Sequence, residues 1–158
     1  ISLNDFNDKK VVVIIFTNNS CPYSKLYELR ITNLAKRYAA SGVAFILVNP
    51  SVSNSDKAES IDAMRKKVQN DKSLYPYLAD TTQSLAISFG VSRLPAAYVL
   101  KKMETSFRLV YKGAIDDNPQ NSEDVPNPYL SDAISAMIGN KTIKIAETRP
   151  VGCLLKPY

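Results

Sequence analysis

Two uninterrupted apolar runs constrain this chain most: "VVVIIF", residues 11–16, and "VAFILV", residues 43–48. The first is β-branched, bounded by the polar "NNS", and shows none of the alternation of a half-solvated strand. That is the pattern of a strand buried on both faces, and the second run reads the same way. Between them Tyr27, Ile31, Leu34 and Tyr38 recur at helical spacing, Pro22 suits a first turn, and Gly42 is placed to end a helix. The spacing predicts a helix from Pro22 to about Ala40. A strand–helix–strand crossover of this kind joins parallel neighbours in one sheet.

The remaining chain continues the alternation. After the loop "NPSVSNS", residues 56–71 ("DKAESIDAMRKKVQND") read as an exposed helix with Ile61, Met64 and Val68 as its buried stripe. "LYPYLAD" reads as a short strand. "TTQSLAISFG" reads as a short helix with Thr81 or Thr82 as its N-cap and Gly90 just past its end. "AAYVL" and "FRLVYKG", joined through "KKMETS", form a hairpin pattern. The acidic stretch from Asp116 to Asp124 reads as a solvated loop, since its acids lack the spacing of a calcium loop. From Pro128 an amphipathic helix runs through Leu130, Ile134, Met137 and Ile138, and a tail follows. The order describes an α/β fold: a central mixed β-sheet with helices on both faces and an inserted helix.

At 158 residues the chain fits one domain, residues 1–158, with a core over about 8–140 and a C-terminal tail over 141–158. Its 45% hydrophobic and 22% charged content is ordinary for a globular protein, and no apolar run approaches the roughly 18 residues of a membrane span. The net charge of +5 is spread over Lys9-Lys10, Lys36-Arg37, Arg65-Lys66-Lys67 and Lys101-Lys102 with acids between, so no nucleic-acid partner is expected. The chain has no His, which removes imidazole bases, serine-type triads and most zinc sites. With two cysteines, no four-ligand thiolate or imidazole metal site can be built within one chain. No Gly-rich phosphate loop is present, and no metal or cofactor is expected.

A thiol is then the candidate for covalent chemistry. Cys21, in "FTNNSCPYSK", stands where the first strand gives way to the first helix. Helix N-termini present unpaired N–H groups and the positive dipole end, both of which favour a thiolate. Ser24 holds the position where a C-x-x-C pair would have its second thiol, and its hydroxyl could tune the nucleophile without trapping it in a local disulfide. Tyr23, within the same turn, is placed to shape substrate access together with Leu94. A sulfenic acid or mixed disulfide at Cys21 needs a second thiol, and the chain has only Cys153. Sequence leaves Cys153 open as a resolving thiol or as a small buried apolar residue.

The strand "VVVIIF", the turn "SCPYS", the segment "LADTTQSLAISFGVSRLPAAYVL" and "YKGAIDD" together resemble the thioredoxin-like superfamily. Within it they resemble the redoxin branch of alkyl hydroperoxide reductases and thiol-specific antioxidants; the helix "YLSDAISAMIGN" and the tail "ETRPVGCLL" resemble a peroxiredoxin-like subgroup. The resemblance implies a thioredoxin-like fold, Cys21 as nucleophile and Pro95 as a cis-proline beside it. Arg93, two residues earlier, then becomes a possible thiolate stabiliser, with an exposed loop arginine as the alternative. Typical peroxiredoxins carry a Pro seven residues before the reactive Cys and a Thr three before it; here those positions are Ile14 and Asn18. The expected function is thiol-dependent oxidoreduction by thiol–disulfide exchange at Cys21, ahead of peroxide reduction. The expected partners are a protein disulfide or thiol, or a small peroxide, and an external thiol reductant. The alternative is a catalytically degenerate peptide-binding or chaperone-like module. Because the sequence begins at Ile1 rather than Met, an extracytoplasmic location, periplasmic or secreted, is favoured over a cytoplasmic one.

Overall fold

A computed structural model describes residues 1–71 and 74–158. The two apolar runs form strands β1 (Val11–Phe16) and β2 (Val43–Asn49), paired in parallel from Val11↔Val43 to Phe16↔Val48. Helix α1 (Pro22–Tyr38) crosses between them, and Gly42, at φ 75°, takes the left-handed conformation that turns the chain into β2. Helix α2 (Ile61–Asp71) leads to β3 (Tyr77–Ala79), which pairs in parallel with β2. Then come α3 (Ser84–Phe89), the two-residue β4 (Arg93–Leu94), β5 (Ala96–Lys102) and β6 (Phe107–Gly113). Helix α4 (Tyr129–Ile138) and β7 (Cys153–Leu154) complete the order.

The main sheet runs β3-β2-β1-β5-β6, with β1 antiparallel to β5 and β5 antiparallel to β6; β4 and β7 make a separate two-stranded antiparallel sheet. Successive side chains of a strand point to opposite faces, and both faces of β1 are covered. Val11, Val13 and Ile15 pack with Tyr27, Ile31 and Ala35 of α1 and with Leu130 and Ile134 of α4. Val12, Ile14 and Phe16 pack on the other side with Ala86, Leu94, Tyr98 and the partly buried Phe89. This two-sided burial explains why the run contains no polar residue. The fold is the mixed α/β sandwich, thioredoxin-like in arrangement, that the sequence predicts.

Three local details differ from the sequence reading. Residues 57–59 form a separate 3₁₀ turn capped by Asp56, so α2 starts only at Ile61. At α3 neither threonine is the cap: Gln83 holds the N-cap position, and the Asp80 carboxylate accepts from Leu85 N and Ala86 N. Asp116 is not a solvated loop residue. It is buried, accepting from Tyr27 Oη at 2.7 Å and from Arg30 Nη1 at 2.7 Å. Its carboxylate ties α1 to the chain leaving β6 and helps hold the helix that begins at Cys21.

Candidate active site

Cys21 is the N-cap of α1 and Pro22 its first helical residue. A proline there costs the helix no hydrogen bond, because the first N–H groups have no intrahelical acceptor. The buried Asn18 accepts from Cys21 N at 3.0 Å through Oδ1 and donates to Ser51 at 3.2 Å through Nδ2. Asn18 therefore fixes the turn that presents the sulfur. Ser24 is fully buried in the first turn of α1, and its Oγ lies 3.5 Å from Asn18 N, a long hydrogen bond that supports the same turn.

Beneath this turn lies a buried carboxylate that sequence reasoning passed over. Glu59 is 3% exposed, and among the described residues every group hydrogen-bonded to its carboxylate is a donor. Oε1 accepts from Asn19 N at 3.1 Å, from Ser20 N at 2.8 Å and, in a shorter contact, from the Ser20 hydroxyl. Oε2 accepts from Asn19 N at 3.1 Å and Asn49 Nδ2 at 2.9 Å. An ionised carboxylate is acceptor-only, so it suits this convergence where a Gln amide would turn a donor toward donors. Tyr77 donates to Asn19 Oδ1 at 3.0 Å; burial and then the Glu59 charge push its phenol well above the usual range. The signal in sequence was faint: one Glu in a helix-like stretch that folds as a 3₁₀ turn.

Opposite Cys21, the Leu94–Pro95 peptide is cis, as the resemblance implied. Leu94 carbonyl oxygen lies 3.6 Å from Cys21 Sγ, while the Leu94 side chain is buried in the core, so this residue meets the site through its backbone and not as an access-shaping side chain. Tyr23 follows Pro22 in the first turn and is partly exposed.

The tail closes the site. Cys153 is disulfide-bonded to Cys21, with an S–S distance of 2.07 Å and Cα atoms 6.2 Å apart, although 132 positions separate them. Its β-strand pairs with β4 in the register Arg93↔Leu154 and Leu94↔Cys153. Leu155 N donates to Ser92 O at 2.9 Å, and Leu155 packs against the Phe16 side of the core. Arg93 donates from Nη1 to Gly152 O at 2.9 Å, so its guanidinium holds the tail. Of the two readings left open for Cys153, the buried bystander is the one the structure removes. Cys21 is 4% exposed and Cys153 is partly exposed, so reagents in solution meet the pair from the Cys153 side.

Comparison with known proteins agrees with this geometry. A family model described as AhpC/TSA matches residues 1–105, a span that includes Cys21 and Pro95 but not Cys153. No curated protein sequence matches the chain. Among solved structures, a hypothetical protein of Sinorhizobium meliloti is 27% identical with a TM-score of 0.89, covering 100% of this chain and 85% of its own. An uncharacterised conserved protein of Geobacillus kaustophilus is 26% identical with a TM-score of 0.88, covering 100% and 84%. A thiol:disulfide interchange protein of the thioredoxin family from Chlorobium tepidum shares the fold at 14% identity, TM-score 0.62, covering 88% and 86%. Family, fold and the Cys21–Cys153 disulfide together support thiol–disulfide redox function in general terms. The chain belongs to the AhpC/TSA family, within the thioredoxin-like redoxins.

Proposed function

We propose that this protein is a thiol–disulfide oxidoreductase whose redox pair is Cys21 and Cys153. The observation that carries the reading is the disulfide itself, joining a cysteine at a helix N-terminus beside a cis-proline to the chain's only other cysteine. In the reduced protein the Cys21 thiolate attacks a substrate disulfide. One substrate thiolate leaves and takes up a proton, and a Cys21–substrate mixed disulfide remains. The Cys153 thiolate then attacks the Cys21 sulfur, the second substrate thiolate leaves, and two electrons have passed to the substrate. An external thiol resets the pair in two steps. It attacks the more exposed Cys153 sulfur, with Cys21 as the leaving thiolate at the positive end of α1. A second reductant thiol then attacks the reductant sulfur of the mixed disulfide, freeing Cys153 and leaving the reductant as its disulfide.

Ser24 and Pro95 act here as positioning residues for Cys21. The missing local partner in "CPYS" has its counterpart in the tail: the second thiol arrives from β7 instead of from position 24. An intramolecular disulfide persists best in an oxidising compartment, which supports the extracytoplasmic placement. A second reading, peroxide reduction, is favoured by the family match. In it the peroxide oxidises Cys21 to a sulfenic acid, releasing water or an alcohol, and Cys153 displaces a further water to form the same disulfide.

The test is turnover of a protein disulfide and of hydrogen peroxide by wild type, Cys21→Ser and Cys153→Ser. Cys21→Ser is expected to abolish disulfide turnover, and Cys153→Ser to stop after one event with the substrate covalently attached. Unchanged turnover in Cys21→Ser overturns the proposal; turnover of peroxide alone replaces it with the second reading.

A further inference from the structure

The segment carrying Cys153 is seated on the body at two places, and only one of them involves the disulfide. Upstream, Lys112 N donates to Ala146 O at 3.1 Å and Thr148 N donates to Lys112 O at 3.0 Å. Thr148 Oγ1 accepts from Ala114 N at 2.8 Å and lies 2.7 Å from the Tyr111 hydroxyl. Gly113, at φ 143°, gives this seat its room: a Cβ there would stand 2.2 Å from Thr148 Oγ1. Downstream, β7 lies on β4, Arg93 holds Gly152 O, Leu155 N reaches Ser92 O, Gln83 Nε2 donates to Lys156 O at 2.9 Å and the Tyr158 hydroxyl donates to Val52 O. Arg149, Pro150 and Val151 link the two seats.

We propose that residues 149–158 are a redox-released strap occupying, in cis, a polypeptide-docking edge on β4, and that the freed edge takes an extended segment whose Gly immediately precedes its Cys. The inference rests on the proposed redox cycle and adds to it what covers the site and what replaces the cover. Among the described residues strand β4 pairs only with β7, so departure of β7 leaves the backbone of Ser92–Leu94 as an open strand edge beside Cys21. A two-residue ladder is well below the length that holds a strand pair by itself. Leu155 packing and the single bonds Gln83–Lys156 and Tyr158–Val52 add to it, and the disulfide is the one covalent latch over them.

The selectivity follows from Gly152. A Cβ on this buried residue would stand 1.9 Å from Leu94 O and 2.6 Å from Leu94 C, and both atoms are backbone that no rotamer change can clear. Any segment presenting its cysteine to Cys21 in this register passes the same carbonyl with the residue before that cysteine. The side of β7 facing solvent is undemanding, since Leu154 is 65% exposed.

Two measurements on the full-length protein test the proposal. The first is amide hydrogen exchange in oxidised and reduced wild type. Leu155 N is expected to exchange at least tenfold faster after reduction, with Thr148 N unchanged. Retained protection at Leu155 overturns the strap. The second uses reduced Cys153→Ser protein with a synthetic peptide of residues 147–158 whose cysteine carries thionitrobenzoate as a mixed disulfide. Cys21 attacks the peptide sulfur, the peptide–thionitrobenzoate bond breaks, the coloured thionitrobenzoate anion leaves, and the Cys21 thiol proton goes to solvent. The Gly152 peptide is expected to react at least tenfold faster than its Gly152→Ala version, with unattached dithiobis-nitrobenzoate as the measure of intrinsic thiol reactivity. Equal peptide rates overturn the selectivity. A pair that cannot be reduced and reoxidised refutes the redox cycle itself, whereas a working pair with an immobile tail refutes only the strap.

Discussion

Gly152→Ala separates the contact geometry of the tail from its covalent bond. The added Cβ would sit 1.9 Å from Leu94 O, against the 3.4 Å at which ordinary contact begins, so tail and β4 must part by more than an ångström. That shift stretches the 2.9 Å Arg93–Gly152 bond and the 2.9 Å Leu155–Ser92 bond. It also pulls on a cysteine pair whose Cα separation, 6.2 Å, is near the upper end of what a disulfide spans. Overpacking against backbone costs about 1–3 kcal/mol. The oxidised form bears this cost and the reduced form, free to move its tail, bears less. The disulfide therefore becomes easier to reduce. At about 30 mV per 1.4 kcal/mol for a two-electron couple, the potential rises by roughly 20–65 mV. The assay is a glutathione-buffered redox titration of wild type and variant, with thiols trapped by alkylation. A potential within a few millivolts of wild type, with the Cys21–Cys153 bond still formed, refutes the reasoning.

Three further outcomes are expected. Cys153→Ser removes a crosslink between residues 132 positions apart, and chain-entropy arguments place the stability loss between about 2 and 5 kcal/mol, read as a lower urea midpoint relative to oxidised wild type. Glu59→Gln places an amide donor among donors and costs about 1–3 kcal/mol, read by thermal melting; a neutral result means Glu59 is not the acceptor hub of the Asn19–Ser20 turn. Burial raises the phenols of Tyr77, Tyr27 and Tyr111, the last pushed up to about 12. A raised folded-state value means that the folded protein holds these protons more tightly. Their contribution is complete below the unfolded value of 10 and is lost as pH climbs toward 12 and beyond. Urea midpoints should fall above pH 10 for this reason, and a flat profile between pH 10 and 12 contradicts it.

How much was legible depended on how local each cause was. β1 could be read because both its faces are buried, leaving no position for a polar residue. The start of α1 was written in Cys21-Pro22, and the left-handed turn into β2 in Gly42. The cap of α3 was harder, because Asp80 reaches past two threonines that look like better caps. Asp116 and Glu59 look like surface acids in sequence; what buries them is supplied by Tyr27 and Arg30 in one case and by the Asn19–Ser20 turn in the other. Cys153 was least legible of all. Its partner is set by the register of β7 on β4, a tertiary fact, and the only local sign was a glycine beside a cysteine in a chain with five glycines.

The most direct test of the central claim is redox equilibration of the full-length protein across a series of thiol–disulfide buffers, followed by alkylation and peptide mass mapping. Both cysteines are expected to change state together, with a single linked peptide pair joining Cys21 to Cys153 in the oxidised protein. Independent alkylation of the two thiols, or oxidised species linked only between molecules, would contradict it.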